Sequence, residues 1–450
     1  MEGKDLTKGN LLKNMALLLI PLFLTNLLNS IYSLVDGIWV GNLIGETGVS
    51  VITNCYPLIR IITSISSGLA VGTSVLVSQY YGAKDSKKLK SIVGVSYLIT
   101  LIVGFTTSFL MIITSSLWLK ILNTPFEILD VAKQYLIIYS IGYLFNFILV
   151  VIMEAIRATG NSRVPFIFIV ISTTINIILD PILIKTGFGV VGTAIATLIA
   201  MIIGTVIAII YVNSKSELLK IDFKYFKFNK KMVLDFFKIG IPVIIENCFL
   251  AGMHLLEVKV SNSSGLIGNA GYGVASKVEQ FLAVVCASLA TVATVTVGQF
   301  IGVKKIKEST NVMKQGLKLT ILPIIIVILV VFVFPRQFCR IFVSSQEVIS
   351  MAIIYISAVR ISHVIMPIEN LVHGFIIGTG HTKFALFSST VSCIAEICTI
   401  LILRNTNLES LAVLGTGVLI WVFTHLTLDS IYYFSNKWQK IVVKKVENEI

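Results

Sequence analysis

The sequence predicts an all-α membrane protein, with twelve transmembrane helices in two pseudo-symmetric six-helix lobes, and three observations carry that prediction. The chain of 450 residues is 56% hydrophobic and only 13% charged, with a mean hydropathy of +0.91, whereas charged residues make up about a quarter of an ordinary soluble chain. Apolar runs of about 20 residues, long enough to span a bilayer, alternate with short polar connectors. Stretches about 220 positions apart match one another. A spanning segment must be helical, because lipid offers no partner to an exposed backbone and a helix satisfies its own N–H and C=O groups.

Taken in chain order, the apolar runs place helices near 14–39, 54–80, 91–119, 129–156, 164–185, 189–212, 234–259, 271–300, 311–334, 348–374, 384–404 and 411–435. The first run follows Lys4, Lys8 and Lys13, as a secretion signal would. No small-residue cleavage site comes after it and the run continues through Tyr32 into Trp39, so it is read as a retained span. With both termini cytoplasmic, the inner connectors hold Lys84 to Lys90, Arg157 and Arg163, Lys215 to Lys238, Lys304 to Lys318, Lys383 and Lys437 to Lys445. Together with the amino-terminal lysines these make 26 of the 36 Lys and Arg, the asymmetry expected of the positive-inside rule. The same asymmetry accounts for the net charge of +13 and for the basic stretch KSELLKIDFKYFKFNKK, read as a connector beside anionic lipid and not as a nucleic-acid patch. Cys55, Cys248, Cys286, Cys339, Cys393 and Cys398 lie mostly in or beside spans without metal-like spacing and read as packing residues.

The second and eighth spans can be laid on each other. SGLAVGTSVLVSQYYGAKDSKK from Ser67 meets ASLATVATVTVGQFIGVKKIKE from Ala287 at an offset of 220, pairing Gln79 with Gln299 and Gly82 with Gly302. The same offset lays RATGNSRVPF from Arg157 on IGTGHTKFAL from Ile377; an offset of 221 pairs Pro21 with Pro242, and one of 223 lays VVGTA from Val190 on VLGTG from Val413. Small-residue patterns recur by chance in helix bundles, but three colinear matches at nearly one offset point to duplication. The lobes are then residues 1–220, helices one to six, and 221–450, helices seven to twelve. Six is an even number, so the halves are parallel repeats, an arrangement typical of secondary transporters with a working cavity between the halves.

Asp36 lies inside an apolar run, where a carboxylate costs roughly 2.5–3.5 kcal/mol on insertion scales. Tyr32 is four residues before it and therefore on the same helix face. Asn176 and Asp180 repeat that spacing in the fifth span, and Thr193 and Thr197 do so in the sixth. At 1.5 Å per residue, Asp36 is about 33 Å and Asp180 about 24 Å from the inner helix ends, which allows one shared cluster in the outer half. Two neighbouring carboxylates resist ionising together, so one can exchange a proton near neutral pH. With the oxygens of Tyr32, Asn176 and Thr197 they can instead ligate a small hard cation. The plainer alternative puts Asp36 at a wet helix end and Asp180 at a helix stop before Pro181.

In the second lobe, Glu257 is the repeat partner of Asp36 and Glu396 that of Asn176, and Glu246, Glu279 and Glu369 also fall in spans. His254 and Lys277 are candidate partners for Glu257 and Glu279. Glu257, Glu279, Phe281 and Met366 are candidate cavity residues, with Phe249 and Tyr139, because soft and aromatic side chains suit varied organic cations. Glu154 and Arg157 are expected to pair. His363, Glu369 and His373 suggest a metal site only superficially: the histidines are ten apart and nothing in that span completes a set, so no metal is expected.

Several stretches, IPLFLTNLLNSIYSLVDGIWVGNLIG, SGLAVGTSVLVSQYYGAKD, RATGNSRVP, TTINIILDPILI, GVVGTAIAT and VGQFIGVKK, together make the chain resemble the multidrug and toxic-compound extrusion (MATE) family along essentially its whole length. That resemblance implies two six-helix lobes forming a V around a central cavity, and export of organic, often cationic, compounds in exchange for protons or sodium. The proton-coupled branch has a first-lobe cluster matched here by Tyr32, Asp36, Asn176, Asp180 and, with a one-residue shift, Thr197; Pro21 matches a proline at which helix one is proposed to bend. The glutamate of the sodium-type site in the second lobe has no clean match.

The expectation is thus a multi-pass cell-membrane protein with cytoplasmic termini, a monomer that exports small organic molecules by alternating access. It would be coupled to a proton ahead of sodium, with no cofactor and no nucleic-acid partner. No GxxxxGK[ST] loop and no convergent nucleophile set is present, so neither an ATP-driven pump nor an enzyme is expected. The alternatives are a flippase for lipid-linked saccharides, for which the in-span charges are too acidic, and an uncoupled channel.

Overall fold

The computed structural model describes residues 3–439; the side chains of residues 33, 34 and 46 lie outside that description, as do Lys440, Lys444 and Lys445 of the basic carboxyl end. Twelve apolar helical spans follow one another: α1 (Leu11–Leu43), α2 (Glu46–Gly82), α3 (Ser86–Ile121), α4 (Phe126–Ala158), α5 (Arg163–Leu183), α6 (Gly189–Lys215), α7 (Lys230–Asn262), α8 (Gly265–Gly302), α9 (Lys307–Val333), α10 (Gln346–Gly378), α11 (Thr382–Leu403) and α12 (Ser410–Phe434). There is no strand among the described residues.

Most helices run past the apolar runs that predicted them, because a helix continues through flanking polar residues that hydropathy leaves out. α3 starts at Ser86 and not near residue 91, since the Asp85 carboxylate accepts a hydrogen bond from the Lys88 N–H at 3.0 Å and meets an otherwise orphaned helix donor. The ninth span is not one regular helix. It breaks at Thr320 and ends in a π-type turn over Leu329–Val333; Pro323 falls in the first turn of the second segment, where its missing N–H would have had no helical partner. α1 continues through Pro21, and the Thr25 hydroxyl donates to the Pro21 carbonyl at 2.8 Å.

No loop separates α5 from α6. The chain turns through Ile184–Phe188, with Gly187 at φ 99° and Gly189 at φ 55°, left-handed angles that glycine adopts without strain. A Cβ on Gly192 would sit 2.9 Å from the Leu183 carbonyl carbon, so the two helices meet closely at once.

Contacts group the chain into two compact units, residues 3–5 with Ile20–Ile244, and Leu6–Leu19 with residues 245–439. The divisions inside α1 and α7 fall beside Pro21 and Pro242. In the first unit α4 packs on α2, α3 and α6, and α5 packs on α6; in the second, α10 packs on α8, α9 and α12, and α11 packs on α12. Adding six to each helix number thus converts one set of pairings into the other, as a duplication requires. The α8–α10 contact is made by small residues: a Cβ on Gly374 would lie 2.3 Å from the Ala290 carbonyl oxygen, and the Thr294 hydroxyl donates to the Gly374 carbonyl at 2.9 Å, the close backbone approach that holds helices together in lipid.

Candidate functional site

The first unit brings together the polar residues that the i, i+4 spacings singled out. Asp180 is fully buried, Asn176 and Thr197 are buried, and Tyr32 and Asp36 are partly so. The Tyr32 and Thr197 hydroxyls are 3.3 Å apart. The Asn176 amide is satisfied when its nitrogen donates to Asp180 Oδ2 at 3.0 Å while its oxygen accepts from the Thr197 hydroxyl and backbone N–H, both at 3.1 Å, and hydrogen bonding is the criterion by which such an amide is oriented. The amide therefore links α5 to α6, and the Tyr32–Thr197 contact adds α1. Asp36 is close enough to Asp180 and Tyr32 for their charges to interact. Asp36 Oδ1 and Asp180 Oδ1 have no hydrogen-bond partner. Asp180 is no helix stop, because α5 continues past Pro181 to Leu183.

A ladder of tyrosines on α4 runs beside this group. Tyr135 stacks on Tyr139 at 5.7 Å and Tyr139 on Tyr143 at 5.4 Å. Tyr135 is close enough to Asp36 to sense its charge, while the Tyr143 and Thr63 hydroxyls are 2.7 Å apart. Sequence reasoning picked out Tyr139 alone. The i, i+4 run of Tyr135, Tyr139, Tyr143 and Phe147 was the available signal, since such residues align along one helix face.

The second unit contains two separate acidic groups. In one, Tyr272 donates to Glu257 at 2.8 Å, Tyr355 donates to Glu279 at 3.1 Å, and Glu396 is close enough to Glu257 for their charges to interact. His254 pairs with Glu257 at 3.3 Å, as expected, but Glu279 faces His363 at 3.2 Å and not Lys277. Lys277 is two residues before Glu279 and so points to a different face of α8. Of the other candidate cavity residues, Met366 is half-buried and Phe281 is 39% exposed, and neither belongs to this hydrogen-bonded group. In the other group, Glu369 and His373 join Glu246 of α7 and His425 and Asp429 of α12. The two histidines of the tenth span therefore serve different groups. Glu154 and Arg157 pair near the end of α4.

A profile of the family described as MatE matches residues 21–182 and again 242–402. The chain belongs to the MatE family. The two MatE segments start 221 residues apart and end 220 apart (242 − 21 and 402 − 182), the offsets at which the sequence matches itself. Among curated relatives, "Probable multidrug resistance protein YoeA" of Bacillus subtilis is 28% identical over 77% of this chain and 76% of its own. "Multidrug export protein MepA" of Staphylococcus aureus strain MSSA476 is 25% identical over 92% and 90%. A solved structure described as "Outward-facing conformation of a multidrug resistance MATE family transporter of the MOP superfamily" superposes with a TM-score of 0.91 at 21% identity, covering 97% of this chain and 98% of that one. Another, from Pyrococcus furiosus and described as "Reverse polarity of binding pocket suggests different function of a MOP superfamily transporter", gives 0.87 at 21% over 99% of each chain. At these identities the solved structures establish that this MatE chain has their fold.

Proposed function

We propose that this MatE protein is a cation-coupled exporter of organic, often cationic, compounds that works by alternating access, with a proton ahead of sodium as the coupling ion. The names of the curated relatives support the substrate class. The observation that carries the coupling is the pair of carboxylates Asp36 and Asp180, each with one oxygen unpartnered, joined to α6 through Asn176 and Thr197. Such a pair holds one proton far more easily than two negative charges in hydrocarbon. Loading the ion favours one conformation and loading the drug the other, so each weakens the binding of the other. Pro21 removes one hydrogen bond from α1 a few turns before Asp36, which gives that helix a point at which to bend as the charge changes. In this reading the chain lies in the cell membrane as a monomer with cytoplasmic termini.

The test is uptake of a fluorescent organic cation into everted vesicles under an imposed proton or sodium gradient. Wild type is expected to respond to the proton gradient, and Asp36→Asn and Asp180→Asn to lose that response. Full gradient-driven uptake in both variants removes the proposed coupling, and a response to sodium alone reassigns the ion.

A further inference from the structure

The second acidic group of the carboxyl-terminal unit has the composition of a metal centre. Glu246, His373 and His425 each present a donor atom, and all three atoms lie within 4.8 Å of one another. They come from α7, α10 and α12, so the arrangement is tertiary. Around them the hydrogen bonds have a definite pattern. His373 Nδ1 is 2.9 Å from Asp429 Oδ2, and His425 Nδ1 is 2.7 Å from Glu369 Oε1. Each imidazole thus has its Nδ1 side held by a carboxylate, which leaves Nε2 as the inward-facing ligand atom, against Glu246 Oε1 in His373 and without a hydrogen-bond partner in His425. Glu369 is itself fixed by the Asn370 amide at 2.6 Å, and Glu246 Oε1 accepts from the Ser389 hydroxyl at 3.0 Å. Carboxylate–histidine–metal relays of this form orient the rings and raise their basicity towards the ion.

Two further observations point to a ligand. Glu246, His425 and Asp429 are 5%, 2% and 0% exposed, yet Glu246 Oε2, His425 Nε2 and Asp429 Oδ1 have no hydrogen-bond partner. Buried polar atoms left unpaired carry a desolvation cost that a ligand would remove. Three carboxylates also face two imidazoles, so even with both rings protonated one negative charge is left within the group. A divalent cation would take the unpaired Glu246 and His425 atoms and the surplus charge together. His373 Nε2 and Glu246 Oε1 are 3.1 Å apart, close to the roughly 3.3 Å edge of a tetrahedral site with bonds of about 2.0–2.1 Å, so the third donor must close in as the ion binds.

We propose that Glu246, His373 and His425 bind one divalent transition-metal ion of the Zn2+ class, with Asp429 and Glu369 as positioning residues and water completing the coordination. Two nitrogens and one oxygen suit Zn2+ or Co2+ better than the oxygen-seeking Ca2+ and Mg2+. The site shares no residue with the Asp36 group, and the inference does not depend on the transport reading.

The test uses the full-length chain in detergent, freed of its purification tag and of metal, and titrated with Zn2+ or Co2+ alone. One saturable equivalent is expected, with the intense visible d–d bands of four-coordinate Co2+. His373→Ala and His425→Gln should abolish it, and Asp429→Asn should weaken it about 10- to 100-fold, while Asp36→Asn should bind like wild type. Absence of saturable binding by the wild-type chain overturns the proposal, as does binding unchanged in folded His373→Ala and His425→Gln, which would assign the ion to other histidines. If neither ring variant elutes as a single species, the wild-type titration and Asp429→Asn still decide.

Discussion

The two halves of the molecule arose from one repeat, yet they treat the same helix positions differently. In the first unit Asp36 and Asn176 belong to a group of two carboxylates, one amide and two hydroxyls. Their repeat partners Glu257 and Glu396 belong to a group with three glutamates, two tyrosines and two histidines. Tyr135 and Tyr143 have Tyr355 and His363 as counterparts, because 355 − 135 and 363 − 143 are both 220. Duplication preserved the helix pairings and the location of a polar group, while the chemistry of that group diverged. The first group has few internal donors for its acids and leaves two carboxylate oxygens free; the second supplies phenols and imidazoles to Glu257 and Glu279, with one oxygen of Glu396 left unpartnered. Free carboxylate oxygens are suited to an ion that comes and goes, and supplied ones to a fixed network.

The largest effect expected from that contrast is on transport. Asp180→Asn should reduce gradient-driven efflux by at least about tenfold, within the usual range of coupling free energies, whereas Glu279→Gln, at an acid held by Tyr355 and His363, should reduce it by less than about threefold, measured side by side in everted vesicles. Equal losses would end the contrast. Next comes stability: Asn176→Ala leaves Asp180 Oδ2 and the Thr197 donors without their partner and should cost about 1–3 kcal/mol, read as a lower melting temperature in detergent. Gly374→Ala tests the second unit's packing, because its Cβ would overlap the Ala290 backbone, and overpacking of this kind costs about 1–3 kcal/mol.

The smallest effect is expected at the connector, where Glu217 accepts from Lys90 at 2.8 Å. That hydrogen bond, with the charge of Lys90, holds the Glu217 carboxyl below its ordinary value. Its contribution is present above the ordinary glutamate value and is lost as pH falls through the lowered one. Because Glu217 is almost fully exposed, Glu217→Gln should leave the melting temperature unchanged at neutral pH.

Much of the first site was legible because its residues fall at helical spacing within single spans: Tyr32 with Asp36, Asn176 with Asp180, Thr193 with Thr197. Periodicity shows which face a residue occupies, and the duplication adds which helices correspond. Neither shows which faces of different helices meet. Glu279 could not be matched to His363 on α10 from sequence, nor could Glu246 and His425, on α7 and α12, be matched to His373. The expectation of no metal considered the tenth span by itself, and the other members of the proposed set, Glu246 and His425, lie on helices more than 50 residues away on either side. The break in α9 was hidden for a different reason: uniform apolarity carries no periodic signal, so a run long enough to span reads as one helix.

The joint between α5 and α6 has a consequence for these residues. Asp180 and Thr197 are tied by a hairpin with no slack, turned by Gly187 and closed against Leu183 at Gly192. A longer linker would let one helix slide while the other stayed still. Here they must travel as a single lever, so a residue inserted near position 186 would be felt at the carboxylates instead of being absorbed in the turn.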